Sequence, residues 1–183
     1  MISPEEFKRR WDTSFYGLVE YDENDIRILN LPEESKTFLV QAGLPKSAAP
    51  YLSFKSSTKG GGMKLDKIFN LRDKKFSKYI FLGSTGTGDL VCLVEDKGEI
   101  IYLDHENYRE YFINSSLNQL AEYLLLYSEF IKAIKQVNGD EAYLEGNAPD
   151  KLYFELIDKF KIIDSKALND KCFWQEELNH YKK

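Results

Sequence analysis

The string Gly83-Ser84-Thr85-Gly86-Thr87-Gly88-Asp89-Leu90 has two glycines, Gly83 and Gly88, at the separation found in a phosphate-binding P-loop. In that loop the next residue is a lysine that reaches the phosphates, followed by a serine or threonine that binds magnesium. Asp89 has the opposite charge, Leu90 has no hydroxyl, and the apolar run that begins there predicts a strand where a helix N-terminus would be needed. The glycines are therefore interpreted as turn residues with positive φ. The sequence leaves open whether this turn has a ligand.

A histidine stands beside two carboxylates at Asp104-His105-Glu106, and Cys92 could be considered as its nucleophile. Neighbouring residues of an extended segment point to opposite faces, so this order does not align a base with an orienting carboxylate. The second histidine of the chain, His180, is too distant in sequence for an HxH or HExxH metal site. We predict no catalytic residue and no metal site. Cys92 and Cys172 lie in apolar surroundings and are predicted to be buried, reduced thiols.

Carboxylates are concentrated in two stretches near the N-terminus. Most charge runs are only solvated surface, but an acidic edge can also steer a basic protein partner and accelerate its association. The residues of this candidate partner-binding surface are Glu20, Asp22, Glu23, Asp25, Glu33 and Glu34. The lysines around Gly60-Gly61-Gly62 are the opposite case. They could form a cationic loop for phosphate, but a solvated excursion is the favoured interpretation.

Helices are predicted in the first and last parts of the chain. Ser3 followed by Pro4 predicts a capped helix, and Leu31-Pro32 begins a second helix that Gly43 ends. After Asn114, apolar residues recur at helical spacing, which predicts a long helix near 115–137 with Ser116 as its cap. The last third of the chain continues as helix over 149–160 and 170–181.

The centre of the chain predicts strands. Apolar runs at 79–82, 90–94 and 99–103, with a further strand at 111–113, are joined by connections too short for parallel crossovers. Shorter strands are predicted at Ile26–Leu29 and Tyr51–Phe54, and residues 56–62 are interpreted as a flexible loop. The predicted fold class is α+β, with one domain over 1–183. Its mostly antiparallel sheet, of about four to six strands, packs against helices.

Length and composition agree with this fold. A chain of 183 residues, of which 43% are hydrophobic and 14% aromatic, can close a core, which excludes disorder as its main state. The 25 lysines and arginines against 30 acids give a net charge of -5, which argues against a protein that mainly holds nucleic-acid phosphates. The first ten residues have no apolar signal region, and no apolar run reaches the about 18 residues of a membrane span. We expect a soluble cytoplasmic protein.

Several short sequence motifs follow one another along the chain, and their order can be compared with that of known families. They are Phe38-Leu39 with Gly43-Leu44-Pro45, Pro50 to Phe54, Ile80 to Gly83 with Gly88-Asp89, Ile101 to Asp104, Asn114 to Leu117, and Phe173-Trp174. Together they resemble the SUKH superfamily, and most closely its fourth immunity-protein family, which is related to the yeast cell-wall synthesis regulators. The resemblance extends over nearly the whole chain.

The resemblance implies a single α+β domain without enzymatic activity and without a cofactor. Bacterial members look like immunity proteins, which bind and neutralise the toxin domain of a polymorphic toxin, often a nuclease, in the cell that makes it. The implied partner is a cognate protein toxin, with no direct nucleic-acid contact and no membrane. The chain alone is expected to be a monomer or weak homodimer.

Two other functions stay open at this point. One is a regulatory protein–protein interaction scaffold, the role implied by the eukaryotic relatives. The other is a small enzyme or ligand-binding domain that uses the Gly83–Asp89 turn and the Asp104-His105 pair.

Overall fold

A five-stranded antiparallel sheet lies at the centre of the computed structural model, which describes residues 1–14 and 16–181. Phe15, Lys182 and Lys183 lie outside the described residues. The strands are β1 (Leu18–Val19), β2 (Leu44–Pro45), β3 (Ser53–Phe54), β4 (Tyr79–Ser84), β5 (Leu90–Val94), β6 (Ile100–Leu103) and β7 (Glu110–Asn114). Strands β3 to β7 are neighbours in chain order, and β1 pairs with β2 in a separate two-stranded ribbon. The predicted antiparallel sheet is confirmed, including the further strand at β7.

Helices precede and follow this sheet along the chain. They are α1 (Pro4–Arg10), α2 (Glu23–Arg27), α3 (Glu33–Gln41), α4 (Leu65–Ile68), α5 (Leu117–Asn138), α6 (Asp150–Asp164) and α7 (Phe173–Asn179). Short 3-10 turns lie at Ser57–Lys59, Lys74–Lys78 and Ser165–Leu168. The predicted α+β class and helical C-terminal third are therefore confirmed. None of the helices in the described ranges has the length and apolar character to cross a membrane.

Helix α5 forms where the sequence predicts it. The Ser116 side chain accepts a hydrogen bond from the Gln119 backbone N–H at 3.3 Å, which satisfies one of the free amides at the helix start. Gly139, with a φ of 93°, follows the last residue of the helix. Leu120, Leu124 and other apolar residues at helical spacing are buried, so one side of the helix belongs to the core.

Both faces of the five-stranded sheet are covered. Ile80, Leu93 and Ile113 belong to the main core together with helices α1, α3, α5, α6 and α7. On the other face, Phe81 and Cys92 belong to a second cluster that Leu65 of α4 and Phe76 complete. Strands buried on both faces require continuous apolar runs instead of alternation, which explains the sequence pattern of β4 and β5.

The strand predicted at Ile26–Leu29 is wrong. These residues include the end of helix α2, whose first amides are satisfied by the Asp22 carboxylate, with Asn24 N at 2.8 Å and Asp25 N at 3.4 Å. Ile26 and Leu29 are buried while Ile28 is 84% exposed. Burial at a spacing of three residues fits helical geometry, and the cap at Asp22 selects it over a strand.

Residues 56–62 form a loop, as predicted, and hydrogen bonds hold its backbone. Gly61 donates to Ser56 O at 2.9 Å, and Gly62 donates to Phe81 O at 2.8 Å. A Cβ atom on Gly61 would lie 1.7 Å from Lys55 O, so only glycine fits there. The glycine run is a close-packed turn between β3 and α4.

Candidate partner-binding surface

An open groove of about 850 Å³ lies between the β1–β2 ribbon and strand β3. Leu18 and Val19 line one part of it, and Ser53 and Phe54 line another. The ribbon is held close to the end of helix α3, because Gly43, with a φ of 72°, leaves room for Val19 O where a Cβ atom would stand 2.0 Å away. Close packing of the backbone at Gly43 therefore fixes the position of the ribbon that forms one wall of the groove.

Three of the six predicted acidic residues line this groove. Glu20, Asp22 and Glu23 are exposed at its edge, where β1 passes into α2. Asp22 also caps helix α2, so its position is set by the backbone amides that it accepts from. Each of the three has a side chain available to an approaching molecule.

The other three predicted acids lie on the adjoining helices. Asp25 is exposed on α2. Glu33 and Glu34 are exposed in the first turn of α3, where their negative charges interact favourably with the positive end of the helix dipole. Glu33 forms an ion pair with Lys36 at 2.8 Å. The structure thus places the six carboxylates on consecutive, exposed segments, and half of them at the groove.

Of the lysines in the groove, Lys55 and Lys59 belong to the lysine-rich loop noted in the sequence, whereas Lys46 was missed. Lys46 next to β2, Lys55 next to β3 and Lys59 line it together with the acids. Lys46 is brought to the groove by the pairing of β1 with β2, so no local pattern could have indicated it. The surface offers charges of both signs around an apolar floor.

The Gly83–Asp89 segment is a hairpin connection between β4 and β5. Thr85 N donates to Asp89 O at 2.9 Å, and Gly88 N donates to Thr85 O at 3.2 Å. Gly88 has the predicted positive φ, 94°. The prediction is wrong for Gly83, which lies within strand β4 and is required there because a Cβ atom would lie 1.9 Å from Ser53 O. Strand β5 follows directly, so the segment lacks the helix N-terminus of a P-loop.

His105 and Asp89 form the pair that the sequence reasoning missed. The His105 ring Nδ1 lies 2.8 Å from Asp89 Oδ1, and the His105 backbone N–H donates to the same oxygen at 3.1 Å. The hydrogen bond to Asp89 raises the pKa of His105. Burial raises the pKa of Asp89, but hydrogen bonds from His105 and Thr87 outweigh it and the net pKa is lowered. The partners are 16 residues apart and meet because β5 and β6 are paired.

Asp89, Asp104 and His105 each present one potential metal ligand, and these atoms lie within 4.8 Å of one another. Their oxygens already have local partners. Asp104 Oδ1 accepts from Glu106 N at 2.8 Å and Asn107 N at 3.1 Å, and Thr87 donates to Asp89 Oδ2 at 2.7 Å. These contacts explain the three residues as parts of two turns at one end of the sheet.

The two cysteines are buried, as predicted. Burial raises the pKa of the Cys92 thiol, which lies in the second core cluster, and also raises the pKa of Cys172. A thiol that is protonated at neutral pH is a poor nucleophile. Cys92 is therefore explained as a packing residue of β5.

A buried polar network joins two of the strings quoted above. The Trp174 indole N–H donates to Asn114 Oδ1 at 2.9 Å, and Asn114 Nδ2 donates to Asp164 Oδ2 at 3.1 Å. Asp164 also accepts from Ser115, from the backbone N–H at 2.7 Å and from the hydroxyl at 2.9 Å. The sequence reasoning missed Asp164. Its position after two isoleucines at the end of α6 could have indicated a buried acid. The network fastens the C-terminal helices to the start of α5.

Comparison with known proteins identifies the family. The family model described as SUKH-4 immunity protein matches residues 6–180, which is nearly the whole chain. No curated protein and no solved structure matches the chain significantly. The matched range includes the groove, the β4–β5 hairpin and the buried network around Asp164. The match over this range shows that the chain belongs to the SUKH-4 immunity protein family.

Proposed function

We propose that this chain, as one SUKH-like domain over residues 1–183, is a non-enzymatic immunity protein of a bacterial cytoplasm. It binds and neutralises the toxin domain of a cognate polymorphic toxin, such as a nuclease. The observation that carries the proposal is the family match over residues 6–180. Bound to its toxin it forms a one-to-one complex, and alone it is a monomer or weak homodimer.

The geometry supports a role in binding instead of catalysis. Cys92 is buried with a raised pKa, and His105 serves Asp89 at a turn. Gly83 is explained by the close approach of strand β3, and Gly88, with a φ of 94°, by the hairpin turn. Each residue that could have carried chemistry thus has a structural explanation in the described residues.

We assign the toxin-binding surface to the six acids Glu20, Asp22, Glu23, Asp25, Glu33 and Glu34 and the groove beside them. A nuclease toxin must be basic where it holds phosphates, so an acidic surface would both steer it and occupy that site. The exposure of all six carboxylates and the net charge of -5 support this assignment.

Growth rescue tests the function. The C-terminal domain of a large secreted protein encoded next to this gene is expressed with and without this chain, and survivors are counted. We expect survival only with co-expression, and co-purification of the two proteins. Toxicity that this chain does not change would contradict the proposal and favour the regulatory interaction scaffold.

A matched variant tests whether the chain acts without chemistry. His105 is exposed, so His105→Ala removes a candidate general base without opening a cavity. We expect full rescue by this variant. Loss of rescue, with an unchanged melting temperature and unchanged co-purification with the toxin, would show that His105 takes part in chemistry.

A further inference from the structure

A second pocket, of about 370 Å³, lies between helix α7 and the β4–β5 hairpin and shares no residue with the groove. Three aromatic side chains, Tyr51, Tyr102 and Phe173, contribute to its walls. The Tyr102 and Phe173 rings meet edge to face with centroids 6.2 Å apart, while Tyr51 is 59% exposed at the mouth. We call this cavity the α7 pocket.

The charged residues that line the α7 pocket are all acids: Asp89, Glu176 and Glu177. Asp89 comes from the hairpin, and the two glutamates come from α7, so carboxylates stand on opposite sides of the cavity. Within residues 1–14 and 16–181, no lysine or arginine forms part of its lining. Two histidines beside the lining acids can supply positive charge: His105, which contacts Asp89 at 2.8 Å, and His180, which acts on Glu177.

The environment of Glu177 shows that its charge lacks compensation. Burial raises the pKa of Glu177 to about 7, and the charge of His180 lowers it only in part. The phenol groups of Tyr127, Tyr143 and Tyr181 also lie in its field. A cation that entered the pocket would stabilise the ionised carboxylate.

Aromatic faces combined with carboxylates select for one kind of ligand group. A ring attracts a cation placed over its face, and a planar guanidinium can stack on a ring while it donates paired hydrogen bonds to a carboxylate. Arginine is also over-represented among the residues that dominate protein interfaces. Resting on the toxin-binding function proposed above, we infer that the α7 pocket receives an arginine side chain of the protein partner.

The location of the α7 pocket fits a shared interface. Pro50 and Tyr51 line the pocket, and Ser53 and Phe54, a few residues further along the same segment, line the groove. A partner seated on the groove could therefore place one arginine in the neighbouring cavity. The pocket would anchor the partner, while the six acids would steer its approach.

The first test needs no toxin. The full chain is titrated with N-acetyl-arginine amide, and with N-acetyl-citrulline amide as the neutral analogue of the same shape, while backbone amide NMR shifts are recorded. We expect shifts at residues 85–89 and 173–177 with the arginine compound only. Equal shifts with both compounds, or no shifts at 50 mM ligand (about 50 times a millimolar Kd), would overturn the pocket.

Variants give the second test. Glu176→Gln with Glu177→Gln removes two charges of the pocket, whereas Glu155→Gln with Asp158→Asn removes two exposed charges of α6. We expect the first pair to weaken arginine-compound binding at least about tenfold and the second pair to leave it unchanged.

The two proposals fail separately. If the chain rescues growth but the arginine compound does not bind, the immunity function stands and the pocket assignment is wrong. If the compound binds but no neighbouring toxin is neutralised, the pocket stands as a cation site and the toxin-binding role assigned to it is wrong.

Discussion

Asp164 shows how one residue can hold several parts of the fold. It is 5% exposed and accepts hydrogen bonds from Asn114 and from the backbone and side chain of Ser115. Asn114 in turn accepts from the fully buried Trp174. A buried acceptor stabilises the fold only while all its hydrogen bonds are made. If the acceptor is removed, each buried donor stays without a partner, and its desolvation lowers the free energy of unfolding.

Asp164→Ala should therefore destabilise the chain by about 3 kcal/mol, since donors of Asn114 and Ser115 lose their acceptor. Asp158→Ala is the matched control, because Asp158 is exposed on the same helix with only an exposed ion pair to Lys161. The control should change stability by less than about 0.5 kcal/mol. Urea unfolding of the two variants measures both values, and equal midpoints would refute the role of the network.

Glu177 gives a pH dependence whose sign follows from its environment. Its pKa is raised from 4.5 to about 7 in the folded chain by burial. The folded state holds this proton more tightly than the unfolded state, so the associated stability is full below about pH 4.5 and is lost as the pH rises through 7. His180 nearby opposes the shift without cancelling it.

Glu177→Gln should remove the loss of stability that the parent chain shows as the pH rises through 7. We expect the variant to be more stable than the parent by about 1 kcal/mol at pH 8 and not at pH 5, a modest value because the side chain is partly exposed to solvent. Thermal melting followed by circular dichroism at both pH values measures the difference. Glu176→Gln, on the exposed side of α7, is the control. A gain of the same size at both pH values would contradict the explanation.

At the scale of elements, the turn that contains Gly61 connects two layers of the molecule. Its amides reach Ser56 and Phe81, so it fixes the path between β3 and α4. Helix α4 in turn supplies Leu65 to the cluster on the second face of the sheet. The turn therefore contributes to the burial of that face.

Gly61→Ala should destabilise the chain by about 2–4 kcal/mol, because the new Cβ atom would stand 1.7 Å from Lys55 O and the backbone must move. Gly17→Ala is a suitable control, since nothing lies within 4 Å of a Cβ atom there. Chemical unfolding compares the two. If both variants unfold at the same midpoint, the close approach at Gly61 is not a constraint.

Elements with strong local signals could be predicted from sequence. Ser116 and Gly139 marked the two ends of α5, and long apolar runs marked β4 and β5. Ile26–Leu29 was predicted wrongly because its short alternation resembles a strand, and only the cap at Asp22 distinguishes a helix. The groove could not be predicted, because β1 and β2 have two residues each and the pairing joins Leu18 to Pro45, which is 27 positions further along the chain.

The candidate site was predictable to a similar extent. The six acids are exposed, as a charge run predicts, but Lys46 of the groove and the aromatic walls of the α7 pocket come from distant segments. Tyr51, Tyr102 and Phe173 meet only after the sheet and α7 have packed. Patterns within a single sequence report local periodicity, and these sites depend on contacts between segments far apart in the chain.

At the scale of the whole molecule, acidic side chains line both candidate surfaces. Glu20, Asp22 and Glu23 are exposed at the groove, and the acids of the α7 pocket lie beyond the segment that carries Tyr51 and Ser53. A basic partner would experience attraction over a broad area before contact. Such long-range attraction acts mainly on the association rate and is weakened by salt.

Charge reversal tests this arrangement. Glu20→Lys, Glu23→Lys and Asp25→Lys are combined with Asp22→Asn, which keeps a capping side chain for α2. Association with the toxin found by growth rescue should slow at least about tenfold at low salt and approach the parent rate at high salt. Glu155→Lys with Asp158→Lys changes net charge in the same direction on α6 and should slow association less. Stopped-flow mixing measures the rates, and equal slowing by both variants would remove the steering surface.

The placement of the two tryptophans gives the molecule a built-in optical report. Trp174 is fully buried directly beside Phe173, a wall of the α7 pocket, whereas the Trp11 indole donates to the carbonyl of Tyr16, a residue of the groove. Each candidate surface thus has one tryptophan beside it, whose fluorescence can be measured. In a Trp11→Phe variant, Trp174 beside the pocket would be the one remaining tryptophan. A change in its fluorescence would then report a ligand in the pocket and not in the groove, without any attached label.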